Sequence, residues 1–346
     1  MHNSAENTLI SIIAADAREI VKRVNLSELP GKSILITGAS GLLGVYFLAC
    51  LKEINLEAKE PVNVNAVIHS KPPSYFNALF GQTNFRFIQG DLTNTDFVNN
   101  LPQGDYIIHA AGYGQPGRFM ENPVKTLQLN TDTTFKLLER LNWNGKFFFV
   151  SSAEVYSGLT TSPYKETEIG LTNTTHPRSC YIEGKRCGEA ICNAYRARGV
   201  AAKSARLALA YGPGTRKHDR RVLNSFIEKG LNGSIKLIDQ GKANRTYCYI
   251  VNAIEIMWNI LLRGKEPIYN VGGNSRTTIA DLAKQIGEML KVPVVFPTES
   301  HEMTEAPSDV LLDMSLAEQE FKKTEYVSLS IGLGRTIEWQ KALYSS

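Results

Sequence analysis

Ser33-Ile34-Leu35-Ile36-Thr37-Gly38-Ala39-Ser40-Gly41-Leu42-Leu43-Gly44 decides how the rest of this chain is read. A short apolar run ends at a cluster of glycines, and the residues from Leu42 to Ile54 continue with helical character. Strand, tight glycine turn and helix make the opening unit of a dinucleotide-binding fold, with a pyrophosphate resting on the helix N-terminus. Glycines 38, 41 and 44 follow Gly-x-x-Gly-x-x-Gly rather than the commoner Gly-x-Gly-x-x-Gly. The variant spacing still lets backbone approach phosphates closely.

Outward from this unit, apolar runs at 64–68, 85–89, 106–110, 146–151 and 201–209 read as strands, separated by segments able to carry helices. That alternation predicts an α/β fold with a Rossmann-like, doubly wound parallel sheet. Beyond 209 the pattern loosens, with strand candidates at 235–238, 245–250, 267–271 and 292–296 and a helix at 279–290. The expected organisation is a helical arm (1–30), a dinucleotide-binding domain (31–210) and a smaller C-terminal α/β part (211–346) that mainly binds substrate, with interleaved boundaries. In the arm, Leu9, Ile12, Ile13, Ile20 and Val24 fall near one helical face, so an amphipathic helix docks on the body or on a second subunit.

Bulk properties narrow the function classes. The 346-residue chain carries a formal charge of +4 and no Lys/Arg run of the kind that tracks nucleic acid. Its densest basic cluster, Arg216-Lys217-His218-Asp219-Arg220-Arg221, suits a diphosphate. The five cysteines include no Cys-x-x-Cys pair, which argues for reduced thiols in a cytoplasmic protein, without a metal site or a disulfide framework. Cys180 reads as a buried small apolar residue. No apolar run has membrane-spanning length, and the N-terminus lacks the pattern of a secretory signal. Neither nucleic acid nor membrane is therefore an expected partner.

Tyr181 and Lys185 carry the chemistry. Four residues apart, they share one side of a helix. An ammonium there favours the phenolate and draws the tyrosine below its usual pKa of about 10. A solvated helical face would show the same spacing, and the upstream glycine turn is what favours a catalytic pair.

With both features in place, the chain resembles the extended short-chain dehydrogenase/reductase family of nucleotide-sugar epimerases, dehydratases and decarboxylases. The resemblance runs from about Ser33 to Trp339 and includes Gly90-Asp91-Leu92, His109-Ala110-Ala111-Gly112, Ser151-Ser152-Ala153-Glu154-Val155-Tyr156, Tyr211-Gly212-Pro213, Tyr269-Asn270-Val271-Gly272-Gly273 and Arg335-Thr336-Ile337-Glu338-Trp339. It implies that Gly38, Ser40, Gly41, Leu42, Leu43, Gly44, Asp91, Leu92, Ala110, Ala111 and Lys185 hold NAD. It also implies that Tyr181, assisted by Ser152, takes the proton of a sugar 4-hydroxyl while C4 is oxidised. A homodimer is the family's habit.

Several stretches look more narrowly like UDP-glucuronate decarboxylases: 115–127 with Asn130-Thr131, 181–186 with Glu189-Ala190, Asp219-Arg220-Arg221-Val222, and 245–250. On that likeness Glu154 is an active-site glutamate, Arg245 lies near substrate carboxylate and diphosphate, and Arg118 and Arg221 join the substrate site. An alternative for Arg245 is a surface ion pair of little energetic weight. The chain departs from the pattern at two places, and a third position bears on the cofactor. Ala153 replaces the usual serine of decarboxylases and the aspartate of 4,6-dehydratases, whose acid must protonate a leaving hydroxyl. Gly214 stands where decarboxylases commonly have arginine, with Arg216 as a nearby substitute. Val67-Ile68-His69-Ser70-Lys71 lacks the acid that holds the ribose of NAD, so NADP stays open. Decarboxylation of UDP-glucuronate is the first expectation, 4-epimerisation the second and 4,6-dehydration the third. A non-enzymatic dinucleotide-binding sensor or scaffold is the alternative class.

Overall fold

The computed structural model describes residues 2–298 and 309–345. The chain opens with α1 (His2–Arg23), β1 (Ser33–Thr37), α2 (Leu42–Asn55), β2 (Asn63–Ile68), α3 (Tyr75–Phe80) and β3 (Phe85–Gln89). It continues through α4 (Thr95–Asn99), β4 (Gly104–His109), α5 (Pro116–Glu121), α6 (Pro123–Asn130), α7 (Asp132–Leu138) and β5 (Leu141–Ser152). A 3-10 turn (Ala153–Tyr156) precedes α8 (Ser179–Ala197), β6 (Ala201–Leu207), β7 (Ala210–Tyr211), α9 (Val222–Leu231) and β8 (Ile235–Lys236). Then come β9 (Asn244–Tyr249), α10 (Ile250–Arg263), β10 (Ile268–Val271), β11 (Ser275–Thr278) and α11 (Ile279–Leu290). Last are β12 (Val294–Val295), β13 (Asp309–Val310), α12 (Ser315–Phe321) and α13 (Leu329–Ser345).

Seven strands form one parallel sheet in the order β10-β6-β5-β4-β1-β2-β3. Both faces are covered, so Ile34, Leu35 and Ile36 of β1 and Ile107 and Ile108 of β4 are buried consecutively rather than alternately. Phe147 and Phe149 pack on one face of β5 and Phe148 on the other, which is the period of two expected of a strand. The strand order reverses between β1 and β4, which opens a crevice at their carboxyl ends. On one face α10 is buried from Ile250 to Leu262, and its Trp258 meets Phe47 of α2 edge to face at 5.0 Å.

The sequence reading of the sheet needs three amendments. β5 begins at Leu141, five residues before the apolar run, because Leu141 pairs with Gly104 of β4 ahead of a register irregularity at Gly104/Tyr106. The run 201–209 ends as a strand at Leu207, and Ala210-Tyr211 then pairs with β9 in a separate small sheet with β11 and β13. The 267–271 strand, expected in the C-terminal part, returns to the edge of the large sheet beside β6. The arm helix docks on the body: α1 packs on α2, α10 and α13, with Ile13, Ala17 and Ile20 fully buried. Its buried Asp16 accepts from Tyr46 (2.8 Å), Tyr249 (2.6 Å) and Arg335 (2.6 Å). Burial raises the Asp16 pKa against the pull of those partners.

Candidate active site

Gly38 has φ +68°, and a Cβ there would stand 2.6 Å from the Ala110 carbonyl oxygen and 2.7 Å from the Ala111 nitrogen. A Cβ on Gly44 would lie 2.4 Å from the Gly38 oxygen. These two glycines let the turn after β1 close against β4 and against its own helix. α2 then starts at Gly41 with no side-chain cap and no acid in its first turn, which leaves amides open to an anion. This cradle fits a dinucleotide pyrophosphate.

Beneath the turn, His109 Nε2 donates to the Leu129 carbonyl at 2.8 Å, because a carbonyl can only accept. Nδ1 therefore accepts from the Thr37 hydroxyl at 2.7 Å, and Thr37 Oγ1 accepts from the Ala111 amide at 3.3 Å. Burial, helped by Lys185, lowers the His109 pKa to about 4, so the ring is a neutral strut. Asp91 accepts from Thr93 (2.9 and 2.7 Å) and from Lys125 (3.0 Å). Burial would raise its pKa, but those hydrogen bonds outweigh it and take the carboxyl to about 2. Leu92 is buried beside it, and its carbonyl accepts from Thr133 at 2.8 Å.

Tyr181 and Lys185 lie on the first turns of α8, against the end of β5. The Tyr181 ring stacks on Phe119 at 4.6 Å and 10°. Lys185 Nζ sits 5.6 Å from the Tyr181 ring centroid and donates to the Val150 carbonyl at 2.8 Å. The pKa directions oppose the expectation from spacing alone. Burial pushes the Tyr181 phenol up to about 12, with a Ser152 hydrogen bond pulling down and Glu154 adding to the rise. Burial also lowers Lys185 to about 7, opposed by Glu189. Both charged forms are disfavoured away from water, and the ammonium spends its hydrogen bond on Val150.

Ser152 is buried and its Oγ accepts from the Glu154 amide at 3.2 Å. Glu154 Oε1 receives Arg178 Nη2 at 2.5 Å. Burial raises the Glu154 pKa, while Arg178, His176 and Arg245 act through space to lower it. Arg245, on β9, donates to the Asn244 carbonyl at 2.7 Å, and burial lowers its pKa. Behind these groups Glu189 holds Arg206 through both carboxylate oxygens (3.0 and 2.8 Å) and accepts from Ser151 at 2.5 Å. Arg206 also donates to the Tyr156 hydroxyl at 2.9 Å. This buried, satisfied network stiffens the junction of β5, β6 and α8.

The sequence pattern of the "NAD dependent epimerase/dehydratase family" matches residues 34–272. The chain belongs to that family. It is 28% identical over 268 residues to "UDP-glucuronic acid decarboxylase 1" of Xenopus tropicalis, which covers 77% of this chain and 62% of the relative. It thus spans under two thirds of that relative's length. Among solved structures it is similar to an epimerase of Methanothermobacter thermautotrophicus, with a TM-score of 0.78, 20% identity and 96% of each chain covered. It is also similar to the Bordetella bronchiseptica enzyme WbmF in complex with NAD+, with a TM-score of 0.69, 25% identity, and 92% of this chain and 95% of that one covered. This family is NAD-dependent, and WbmF was solved with NAD+ bound.

Within this epimerase/dehydratase frame the structure gathers Ser152, Glu154, Tyr181 and Lys185 and sets Arg245 within electrostatic reach. It treats two other arginines differently. Arg118 lies exposed on α5, next to the Phe119 that covers Tyr181. Arg221 is held by Asp219 (3.0, 3.1 and 2.5 Å) at the start of α9. Two residues at the site escaped the sequence reading. Phe119 is the stacking partner of Tyr181, and Arg178 is the clamp on Glu154. Arg178 is the residue just before α8, three before Tyr181, and its place in the sequence did not set it apart from a surface arginine.

Proposed function

We propose that this enzyme oxidises C4 of a nucleotide sugar transiently, and that its reaction is the decarboxylation of UDP-glucuronate. The observation that carries this reading is the charge around Glu154: Arg178 and Arg245 both face one carboxylate. Two guanidinium groups therefore line the place where a sugar bearing its own carboxylate would sit. Ala153 offers no acid to protonate a departing hydroxyl, which weighs against dehydration. A 4-epimerase needs only the tyrosine and lysine, so Ala153 is compatible with that second reading.

Bound NAD would supply a reversible hydride acceptor at C4. Tyr181 takes the proton of the 4-hydroxyl as C4 becomes a ketone, with Ser152 holding the same oxygen. Lys185 stands beside Tyr181 on the same helix, where it would hold the cofactor's ribose. The C6 carboxylate is then β to a carbonyl. The C5–C6 bond breaks, carbon dioxide leaves, and the electron pair passes into the enolate of C4 and C5. Glu154 would return a proton to C5, and Tyr181 would return its proton to the C4 oxygen as hydride is given back to C4. Arg245, with Arg221 and Arg118 further out, would hold substrate carboxylate and diphosphate.

A second copy of the chain would cover the exposed apolar residues of α6 and α7, where Val124, Leu127 and Phe135 face outward, giving a homodimer. The five unpaired cysteines are consistent with a reducing, cytoplasmic setting. Among the described residues no helix is long and apolar enough to cross a membrane. The test is mass spectrometry of products from a nucleotide-sugar panel incubated with NAD. Loss of carbon dioxide from UDP-glucuronate supports the reading. Loss of water from another sugar, or an epimer of unchanged mass, would replace it.

A further inference from the structure

The loop after β7 carries an arginine into the far end of the cofactor crevice. Gly212 and Gly214 have φ +149° and +96°, and Gly214 sits against Leu42, Tyr46 and Val45 of α2. Trp339 Nε1 donates to the Thr215 carbonyl at 2.9 Å, which pins the backbone one residue before Arg216. Arg216 then reaches back to the glycine turn. Its Nη2 donates to Ser40 Oγ at 3.0 Å and to the Ser40 carbonyl at 3.4 Å, and its Nη1 donates to Ser70 Oγ at 3.3 Å. Among the described residues no carboxylate forms an ion pair with it. Ser70 follows the end of β2, where an NAD-specific site carries Asp or Glu for the ribose hydroxyls. Here that place reads His69-Ser70-Lys71, with all three side chains exposed.

We infer that Arg216, Ser40 and Ser70 form a subsite for a phosphate on the adenosine ribose 2′-oxygen, so the crevice takes NADP at least as tightly as NAD. The inference rests on the crevice being the cofactor site. Two hydroxyls and a guanidinium converge at the position where a carboxylate would otherwise select against that phosphate. Both hydroxyls can turn from accepting the arginine's hydrogens to donating to a phosphate oxygen, and the guanidinium remains a forked donor. Lys71 follows Ser70 in the chain and is exposed. A dianionic group is what this arrangement satisfies best.

The test is calorimetric binding of ADP-ribose and of 2′-phospho-ADP-ribose to the full chain, which reads affinity without turnover. The phosphorylated ligand should bind at least as tightly as the plain one. R216A should weaken the phosphorylated ligand roughly 10- to 100-fold, the size of a lost charge-assisted hydrogen bond, and leave ADP-ribose nearly unchanged. As a second variant on an exposed position, S70D should reverse the order of the two ligands. Wild-type protein that binds ADP-ribose about tenfold or more tighter would overturn the subsite. So would an R216A variant that loses both ligands equally, which would assign the arginine to the diphosphate. Binding of neither ligand by wild-type protein would overturn the cofactor reading of the crevice and the subsite with it.

Discussion

Replacing Lys185 with methionine should change how stability depends on pH more than it changes stability at any one pH. Lys185 is buried, and its pKa falls from 10.5 to about 7 in the folded chain. Between those values the unfolded chain binds a proton that the folded chain lacks. Stability contributed at this position therefore decreases as pH falls from 10.5 toward 7, and levels off below 7, where both states are protonated. Each pH unit in that window is worth about 1.36 kcal/mol, so the effect accumulates to roughly 4–5 kcal/mol. Methionine keeps the apolar stem and removes the titration. It also leaves the Val150 carbonyl without its 2.8 Å donor, a cost of about 1–3 kcal/mol that does not vary with pH. Urea melts of wild type and K185M from pH 7 to 10.5 should show the difference shifting toward the variant as pH falls. A difference that stays flat across the window would mean that the lysine keeps its ordinary pKa, and the account of its burial would be wrong.

G38A should destabilise the chain by more than about 2 kcal/mol, combining the left-handed strain of a non-glycine residue with the 2.6 Å overlap on Ala110, and should weaken NAD binding in the same titration. His109 is held neutral with a pKa near 4 against 6.5 unfolded, so its contribution is lost as pH falls through that range. The stability difference between wild type and H109Q should accordingly shrink by roughly 3 kcal/mol from pH 6.5 to pH 4 in denaturant melts. R178A removes the first of the charges that lower the Glu154 pKa, so that pKa should rise and the acidic limb of the pH–rate profile should move to higher pH, with R178K restoring part of the shift.

The sequence was most legible where local chemistry and fold agree. Strand, glycine turn and helix at 33–54 follow from residues that have little other use together, and the Tyr181–Lys185 spacing survives as a shared helical face. What spacing could not carry was environment. The expectation that Lys185 lowers the Tyr181 pKa failed because burial acts on both groups, and burial is a property of the packed site. The basic cluster at 216–221 read as one diphosphate-binding patch, but the turn before α9 divides it, sending Arg216 to the glycine turn and Arg221 to Asp219. Arg178 was hidden for a related reason. A cation at a helix N-terminus opposes the helix dipole and looks like an ordinary surface residue until Glu154 is folded against it. The strand at 268–271 is short and follows a long helix, so nothing local said that it returns to the large sheet.

The central claim is that the sugar is oxidised at C4 and reduced again within one turnover, with Tyr181 moving the proton. Stopped-flow absorbance in the band of reduced nicotinamide, with NAD-loaded enzyme mixed with UDP-glucuronate, follows this directly. The account predicts a transient that rises and decays within a turnover in wild type, and a rise slowed at least about 100-fold in Y181F with cofactor still bound. A wild-type signal that never rises while product forms, or a Y181F trace that matches wild type, would contradict it.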